Sequence, residues 1–480
     1  MLKSVQQGGV LWLVLCALTL VACAPFKPQG DPRGDAQLPP TYSLYSDATP
    51  TLQPWWQALQ STELNALIAA ALDDNFTLQQ AWARLRQARA RSIQEDAARF
   101  PDLIGGVEAG LGRRGVDNGL LIEEGIETYA LGLVSNYELD LWGRVRAVGE
   151  AARFGERATL ADLHTAAITL SAEIAGLWAK IISLRLQKSL LRTQLESNRI
   201  RQELVELRFR NGLASSVDVF QQRELVARVQ AEIPLVETQE QVSLNQLALL
   251  LGTPLITSVE VTTPVLPELD ALPAPGLPAQ LLANRPDVRA NGMRLQAARW
   301  QWTAARAARL PAVRLTGTAR YGADDLDLLF GNWLLNLAAN LTAPLFDAGQ
   351  RAAEVDRTQA VIDEQLARYR QTVYAAFMEV ENALVLERNL DRNLKTLSDQ
   401  LSHAQNALNE ATNRYRQGLD DYLPVLAQII NVQNIERQQI QRREEIVLAR
   451  IGLHRALGGP WVETISDDAP VAQPQAMTGQ

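Results

Sequence analysis

Reactive side chains are scarce in this chain. Its 480 residues carry three His, four Met and two Cys, Cys16 and Cys23. His164, His403 and His454 are scattered, and no His-Glu-x-x-His, Gly-x-Ser-x-Gly or phosphate-loop pattern occurs. The chain therefore reads as no enzyme, with no metal site and no cofactor. So few Met residues also argue against a Met-lined copper path. No run of like charges stands out, and a formal net charge of −8 argues against nucleic acid as a partner. Proline is missing where a break would matter most. None falls between Arg144 and Arg210, where Gly is also sparse.

The N-terminus lacks an apolar run long enough to span a membrane. Lys3 forms a short basic region, and the apolar stretch Val10–Val21 is well below the ~20 residues a spanning helix needs. Residues 1–22 read as a signal peptide. Leu20-Val21-Ala22-Cys23 resembles the bacterial lipobox, with cleavage between Ala22 and Cys23 and acylation of Cys23. The alternative is an ordinary signal peptide that contains a Cys. Cys16 would leave with the leader, so Cys23 would be the one Cys remaining and no internal disulfide could form. Acyl chains at ~0.8 kcal/mol per buried CH₂ would anchor the protein in lipid permanently. The resemblance to lipoproteins also implies a destination: Asp after the Cys goes with inner-membrane retention there, and Ala24 stands in its place, which implies the outer membrane. Loss of Lys3 takes the net charge from −8 to −9.

What is present in abundance is repetition. Residues 208–252 and 414–458 align without a gap at an offset of 206. Arg208, Arg210, Gly212, Leu213, Val219, Gln222, Leu251 and Gly252 meet identical residues at Arg414, Arg416, Gly418, Leu419, Val425, Gln428, Leu457 and Gly458. Leu163, Ala167, Leu170, Ile174, Leu177, Ile181 and Leu184 step in a coiled-coil heptad. The second copy keeps the rhythm from Leu366 to Tyr415, with Glu387 as one polar interruption. At 1.5 Å per residue, helices of this length reach roughly 100 Å. Each is expected to stop at Gly212 or Gly418 and return as a shorter helix, bent at Pro234 in the first copy. Single helices are expected over about Glu63–Arg99 and Ala279–Arg309.

Short alternating stretches precede each long helix. In Tyr129–Leu141, Tyr129, Leu131, Leu133, Tyr137 and Leu139 share one face; Asn136, Glu138 and Asp140 share the other. Val313–Tyr321 and Trp333–Leu341 split the same way, and Asp102–Gly112 does so less clearly. Such strands suit either a half-buried sheet in a soluble domain or a tilted crossing of an outer membrane. Four strands cannot close a transmembrane barrel, which needs about eight or more. In lipid an open edge leaves unpaired backbone groups, each costing several kcal/mol. Membrane strands would thus have to be pooled between chains: two chains give eight strands and a filled interior, three give twelve and a channel.

Motifs along the whole chain carry a family likeness. They include Trp55-Trp56, Asn75, Ala88-Arg89-Ala90, Tyr137-Glu138-Leu139-Asp140-Leu141-Trp142-Gly143, Asn284-Arg285-Pro286-Asp287-Val288, Ala343-Pro344-Leu345-Phe346-Asp347-Ala348-Gly349 and Ala456-Leu457-Gly458-Gly459. With Leu20–Cys23, they resemble the TolC-like outer-membrane factor family, in the lipoprotein branch serving tripartite, resistance-nodulation-division type efflux systems. The resemblance implies a homotrimer with a shared twelve-stranded β-barrel in outer-membrane lipid and a periplasmic α-barrel of coiled-coil helices. It also implies a periplasmic adaptor protein and an inner-membrane transporter as partners. The expected function is a passive, gated exit duct for small toxic compounds in the Gram-negative outer membrane. The rivals are the channel of a type I protein secretion system, which Cys23 argues against, and a non-conducting coiled-coil envelope lipoprotein.

The expected organisation is a signal peptide (1–22), an acylated extended arm (23–62) and a first repeat (63–252). The repeat holds a helix, a β-hairpin at about 101–142 and a helical hairpin at 144–252. A Pro-rich linker (253–278) leads to the second repeat (279–458), with a helix, a β-hairpin at about 311–346 and a helical hairpin at 350–458. A tail (459–480) follows. The two helical turns are the candidate sites. Only the second turn carries adjacent carboxylates, Asp420 and Asp421, opposite Ala214 and Ser215. With Tyr422, and with Arg416 as partner, they read either as a periplasmic gate or as helix capping at a solvated turn. Gly212, Leu213, Ala214, Ser215, Gly418 and Leu419 are the candidate adaptor contacts.

Overall fold

A computed structural model describes residues 54–117, 121–253, 260–270, 272 and 284–465. Ala22, Cys23, most of the arm, much of the linker and the end of the tail lie outside the described residues. Two compact units form. The first draws on residues 84–160 and 290–371, and the second on residues 54–83, 161–289 and 372–465.

The helices are α1 (Thr62–Asp74), α2 (Phe76–Ala97), α3 (Arg144–Arg210), α4 (Ser216–Leu250), α5 (Pro286–Ala307), α6 (Gln350–Arg416) and α7 (Tyr422–Leu457). The strands are β1 (Ile104–Asp117), β2 (Leu121–Leu139), β3 (Ala312–Ala323) and β4 (Trp333–Thr342).

In the first unit the strands form one antiparallel sheet in the order β1-β2-β3-β4. Register carries the sequence alternation across the sheet. Val107 pairs with Leu131, Leu131 with Tyr321, and Tyr321 with Trp333, so one row is apolar throughout. On the other face Asn136 pairs with Thr316, and Glu138 with Arg314, whose guanidinium lies 3.6 Å from the carboxylate. The apolar row is solvent-facing in one chain: Val107 is 83% exposed and Trp333 71%. The strands run past the expected stretches. β2 has 19 residues and begins at Leu121, eight residues before Tyr129. Its Glu-rich start hides the alternation, yet its backbone pairs with β1 as far as Asp117. At the other end β2 stops at Leu139, because Asp140 turns to the next helix: its carboxylate accepts from Val145 N at 2.9 Å and Arg146 N at 2.7 Å.

The second unit is helical. α3 and α6 each have 67 residues, and their heptad positions Leu163, Ala167, Ile174, Ile181, Val373, Ala376 and Val380 are at most 1% exposed. Glu387, the polar interruption, is buried against Arg450 of α7. α4 runs unbroken through Pro234.

The helix expected over Glu63–Arg99 is two helices. Asn75 separates α1 from α2 with an extended backbone, and its side chain makes the junction. Oδ1 accepts from Leu78 N at 3.0 Å, and Nδ2 donates to Leu250 O at the end of α4 at 2.8 Å. Gly252, at φ 68°, lies so close to Asp74 O that a Cβ would sit 2.4 Å from it. The second repeat builds the same end-to-end junction with different chemistry. Arg285 donates to Ala456 O at the end of α7 at 3.0 Å and pairs with Asp287 and Glu379 at 2.7 and 2.8 Å. Burial lowers its pKa, and the two carboxylates more than offset that, so its charge is held more firmly than usual. α5 begins at Pro286 after a break at Arg285, with Asn284 helical before it; the expected start at Ala279 lies outside the described residues.

The described linker residues are anchored by side chains. Glu63 Oε1 and Oε2 accept from the hydroxyls and amides of Thr262 and Thr263, and Oε2 accepts from Trp178 Nε1 at 2.9 Å. Arg185, paired with Glu240, donates to Val261 O. Arg450, paired with Glu387, donates to Asp270 O at 3.0 Å.

Candidate functional site at the helical turns

Both long helices end in the same way. Gly212 and Gly418 stand at φ 71° and 73°, a left-handed conformation that glycine adopts freely. Leu213 N donates to Arg208 O and Gly212 N to Phe209 O; Leu419 N donates to Arg414 O and Gly418 N to Tyr415 O. These are paired Schellman closures, and they aim Leu213 and Leu419 outward at 63% and 62% exposure.

Beyond the glycines the copies diverge. Ser215 caps α4: its Oγ accepts from Asp218 N at 3.1 Å, and Asp218 accepts from Ser215 N at 2.9 Å. The first turn thus holds a carboxylate that inspection of positions 214 and 215 missed, and capping occupies it. In the second turn Asp420 closes back on Arg414, with Nε–Oδ2 at 2.5 Å and Nη2–Oδ1 at 3.1 Å. The bond to Arg414 holds the Asp420 carboxyl below its usual range. Arg414 therefore takes the role expected of Arg416. The helical screw explains this, because Arg416 lies about 200° around the helix from Arg414. Asp421 is exposed at the N-cap of α7 without a side-chain capping bond, so capping does not explain its carboxylate.

Tyr422 does not stand in the turn's solvated face. It is 3% exposed, and its hydroxyl donates to Gln222 Oε1 of α4 at 2.7 Å. Burial pushes its pKa up to about 12. It packs with Val219, Leu225, Val425 and Leu426, fixing the start of α7 to the first-copy hairpin. The Tyr415 ring lies 5.2 Å away, tilted by 56° to that of Tyr422, with Arg208 at 4.6 Å over its own face. Arg208 is the repeat counterpart of Arg414; with Ala214 where the other turn has Asp420, it lies over an aromatic face instead.

The exposed apolar surface at the turns is wider than Leu213 and Leu419. Val217, Phe220 and Leu423 are 58%, 64% and 57% exposed. Spacing alone does not mark them: Phe220 lies eight residues after Gly212, and Leu426, eight residues after Gly418, is buried. No His, Cys, Asp and Glu cluster able to hold a metal occurs among the described residues.

Known proteins share this build. The Outer membrane efflux protein family matches residues 67–253 and 277–459. The chain is 33% identical over 426 residues to the pyoverdine export outer membrane protein OpmQ of Pseudomonas aeruginosa, across 87% of this chain and 89% of that one. Outer membrane protein OprJ of Pseudomonas aeruginosa is 32% identical over 459 residues, across 94% and 95%. The toluene efflux pump outer membrane protein TtgF of Pseudomonas putida is 32% identical across 87% and 88%. Among solved structures, the outer-membrane channel OprN matches with a TM-score of 0.85 at 27% identity, covering 92% of this chain and 100% of that one. The outer membrane protein VceC from Vibrio cholerae matches with a TM-score of 0.80 at 28% identity, covering 86% and 100%. These relatives are transport proteins rather than enzymes. Duplicated hairpins, strands and end-to-end helix junctions all recur in a chain that belongs to the outer membrane efflux protein family, as a TolC-like efflux channel of the Gram-negative outer membrane.

Proposed function

We propose that three copies assemble into one acylated exit duct, with Cys23 as the lipid-bearing residue and twelve pooled strands sealing the barrel. The observation that carries this reading is the sheet itself. β1 and β4 are both edge strands, and the sheet has one apolar and one polar face. In lipid, unpaired edge groups cost several kcal/mol each, and only pairing β4 of one copy with β1 of the next removes them. The polar rows then line water and the apolar rows meet acyl chains.

The duct conducts passively, and energy enters at an inner-membrane transporter. A periplasmic adaptor docks on the turn residues Gly212, Leu213, Ala214, Ser215, Gly418 and Leu419, of which Ala214 is half-buried and the others exposed, with Val217, Phe220 and Leu423 extending that surface. Asp420 and Asp421 form the periplasmic gate, a ring of six carboxylates in the trimer that attracts cations and disfavours anions. Opening is an iris-like movement of the second-copy hairpins, α6–α7. The named relatives export pyoverdine and toluene, so small organic compounds are the cargo class; the pump selects among them. The decisive experiment is native mass in detergent joined to bilayer recording. A trimer with ion conductance supports the duct, whereas a non-conducting protomer removes it.

A further inference from the structure

The first unit holds a cavity of about 770 Å³ among α2, α3, α5 and α6. Arg144 shows which face it opens on. Its Nε donates to Glu138 Oε1 at 2.9 Å, and Glu138 stands in the polar row of the sheet beside Arg314. Val148, Ala152, Gly155 and Thr159 follow Arg144 along one side of α3 and line the cavity. The cavity wall therefore continues the polar face of the sheet.

Its floor is small and its rim is charged. Ala151, Ala304, Ala305 and Thr358 line it and are buried. A Cβ built on Gly155 would meet nothing within 4 Å, so packing does not call for glycine there. Glycine inside a helix is disfavoured relative to alanine, and what it leaves here is open space. The lining carries four guanidinium groups against three carboxylates. Glu354 holds Arg357 by two bonds at 2.7 and 2.8 Å, Glu95 lies 3.9 Å from Arg91, and Glu156 lies 3.6 Å from Arg89. Arg144 is taken by Glu138. Arg84, exposed on α2, makes no ion pair among the described residues.

We propose that this cavity is a binding site for small amphipathic organic monoanions, where cargo rests on the duct wall: the apolar body lies on the alanine floor and Arg84 takes the carboxylate. This rests on the reading that the polar face of the sheet lines the duct. The volume suits a drug-sized ligand, and a planar guanidinium bonds a carboxylate through two parallel N–H groups. Gly155 leaves the apolar body its room at the floor. Binding must stay weak, since a duct conducts only what it also releases. The preference for anions is opposite to that of the carboxylates at the turns, so the sign of a probe separates the two places.

The test uses trimers of wild type, Arg84→Gln and Gly155→Leu, with three probes of one shape: naphthoate, naphthalenemethanol and naphthylmethylammonium. Binding is read by equilibrium dialysis in detergent, and passage by interruptions of single-channel current in planar bilayers. Wild type should bind naphthoate more tightly than the ammonium and show brief current blocks with it. Arg84→Gln should weaken naphthoate on the order of tenfold, the ratio for losing a charge-assisted bond, and leave the alcohol unchanged. Gly155→Leu should weaken naphthoate and the alcohol alike, because it fills the floor. Equal binding in all three proteins is partition into detergent only and overturns the site. Ammonium bound as tightly as naphthoate overturns the anion preference and the role of Arg84. Wild type that conducts ions without binding naphthoate overturns the site and leaves the duct standing. Naphthoate bound by a protein that carries no current, and lost in both variants, removes the duct and with it the site's role in cargo passage.

Discussion

Arg414 and Asp420 face each other across Gly418, six residues apart in sequence and 2.5 Å apart at Nε and Oδ2. The Schellman closure makes the approach possible by reversing the chain within one turn. The bond orients Asp420, whereas Asp421 at the N-cap of α7 makes no side-chain capping bond, so the two adjacent carboxylates have different surroundings. The Arg414 side chain is 47% exposed, and salt therefore screens the pair.

Replacing Asp420 and Asp421 with Ala should raise single-channel conductance and weaken cation preference. Arg414→Ala should also raise conductance, by less, because it frees Asp420 from its bond, but it should strengthen cation preference, because it removes a positive charge and leaves both carboxylates. High salt should shrink both differences. Equal conductance and equal ion selectivity in all three channels would count against a carboxylate gate.

Glu63 offers a test of the linker anchor. Burial raises its pKa, but donors from Thr262, Thr263 and Trp178 outweigh this and bring it down to about 2, from 4.5. A lowered carboxylate pKa stabilises the fold above about pH 4.5, and that contribution is lost as pH falls towards about 2. The full shift corresponds to about 3 kcal/mol, reduced by screening to about 2 kcal/mol. Glu63→Gln should lower the denaturation midpoint at pH 7 and flatten the acid limb below pH 4.5. Identical acid limbs in urea titrations of the two proteins would refute this.

The long helices were legible because nothing in Arg144–Arg210 competes with a helix and the heptad holds for several turns. The junction at Asn75 was not, because an Asn inside a helical pattern costs little on its own and its partner, Leu250, lies 175 residues away. The early part of β2 was hidden for a related reason: Glu123, Glu124 and Glu127 break the alternation, and only pairing with β1 makes that stretch a strand. At the turns, residue types pointed to the carboxylates. Choosing Arg414 over Arg416, and burying Tyr422 beside Gln222, depends on helix phase and on contacts 200 residues apart.

Arg450 and Glu387 form a buried pair, each side chain 8% exposed, with Nη2–Oε1 at 2.5 Å. Both guanidinium Nη atoms also reach Asp270 O. Arg450→Met should cost about 3–5 kcal/mol, because it leaves a carboxylate buried without its partner. Adding Glu387→Leu should recover most of that loss, though Asp270 O still lacks its donors. Thermal melts of both variants decide it. A double variant no more stable than the single one would show that the linker anchor, not the ion pair, dominates.

His454 gives a separate acid response. Its ring stacks on Trp55 with centroids 5.3 Å apart and an interplanar angle of 19°. Burial, aided by the nearby Arg450 charge, lowers its pKa from 6.5 to about 4. Between those values the unfolded chain binds a proton that the folded chain refuses. Stability should therefore fall as pH drops from about 6.5 to 4, by about 3 kcal/mol per protomer, and level off below. This window lies mostly above that of Glu63, so the two contributions separate in one titration. His454→Phe keeps an aromatic ring against Trp55 and removes the titration. Its stability should stay flat from pH 6.5 to 4.5; a slope equal to wild type across that interval would move the acid sensitivity to another group.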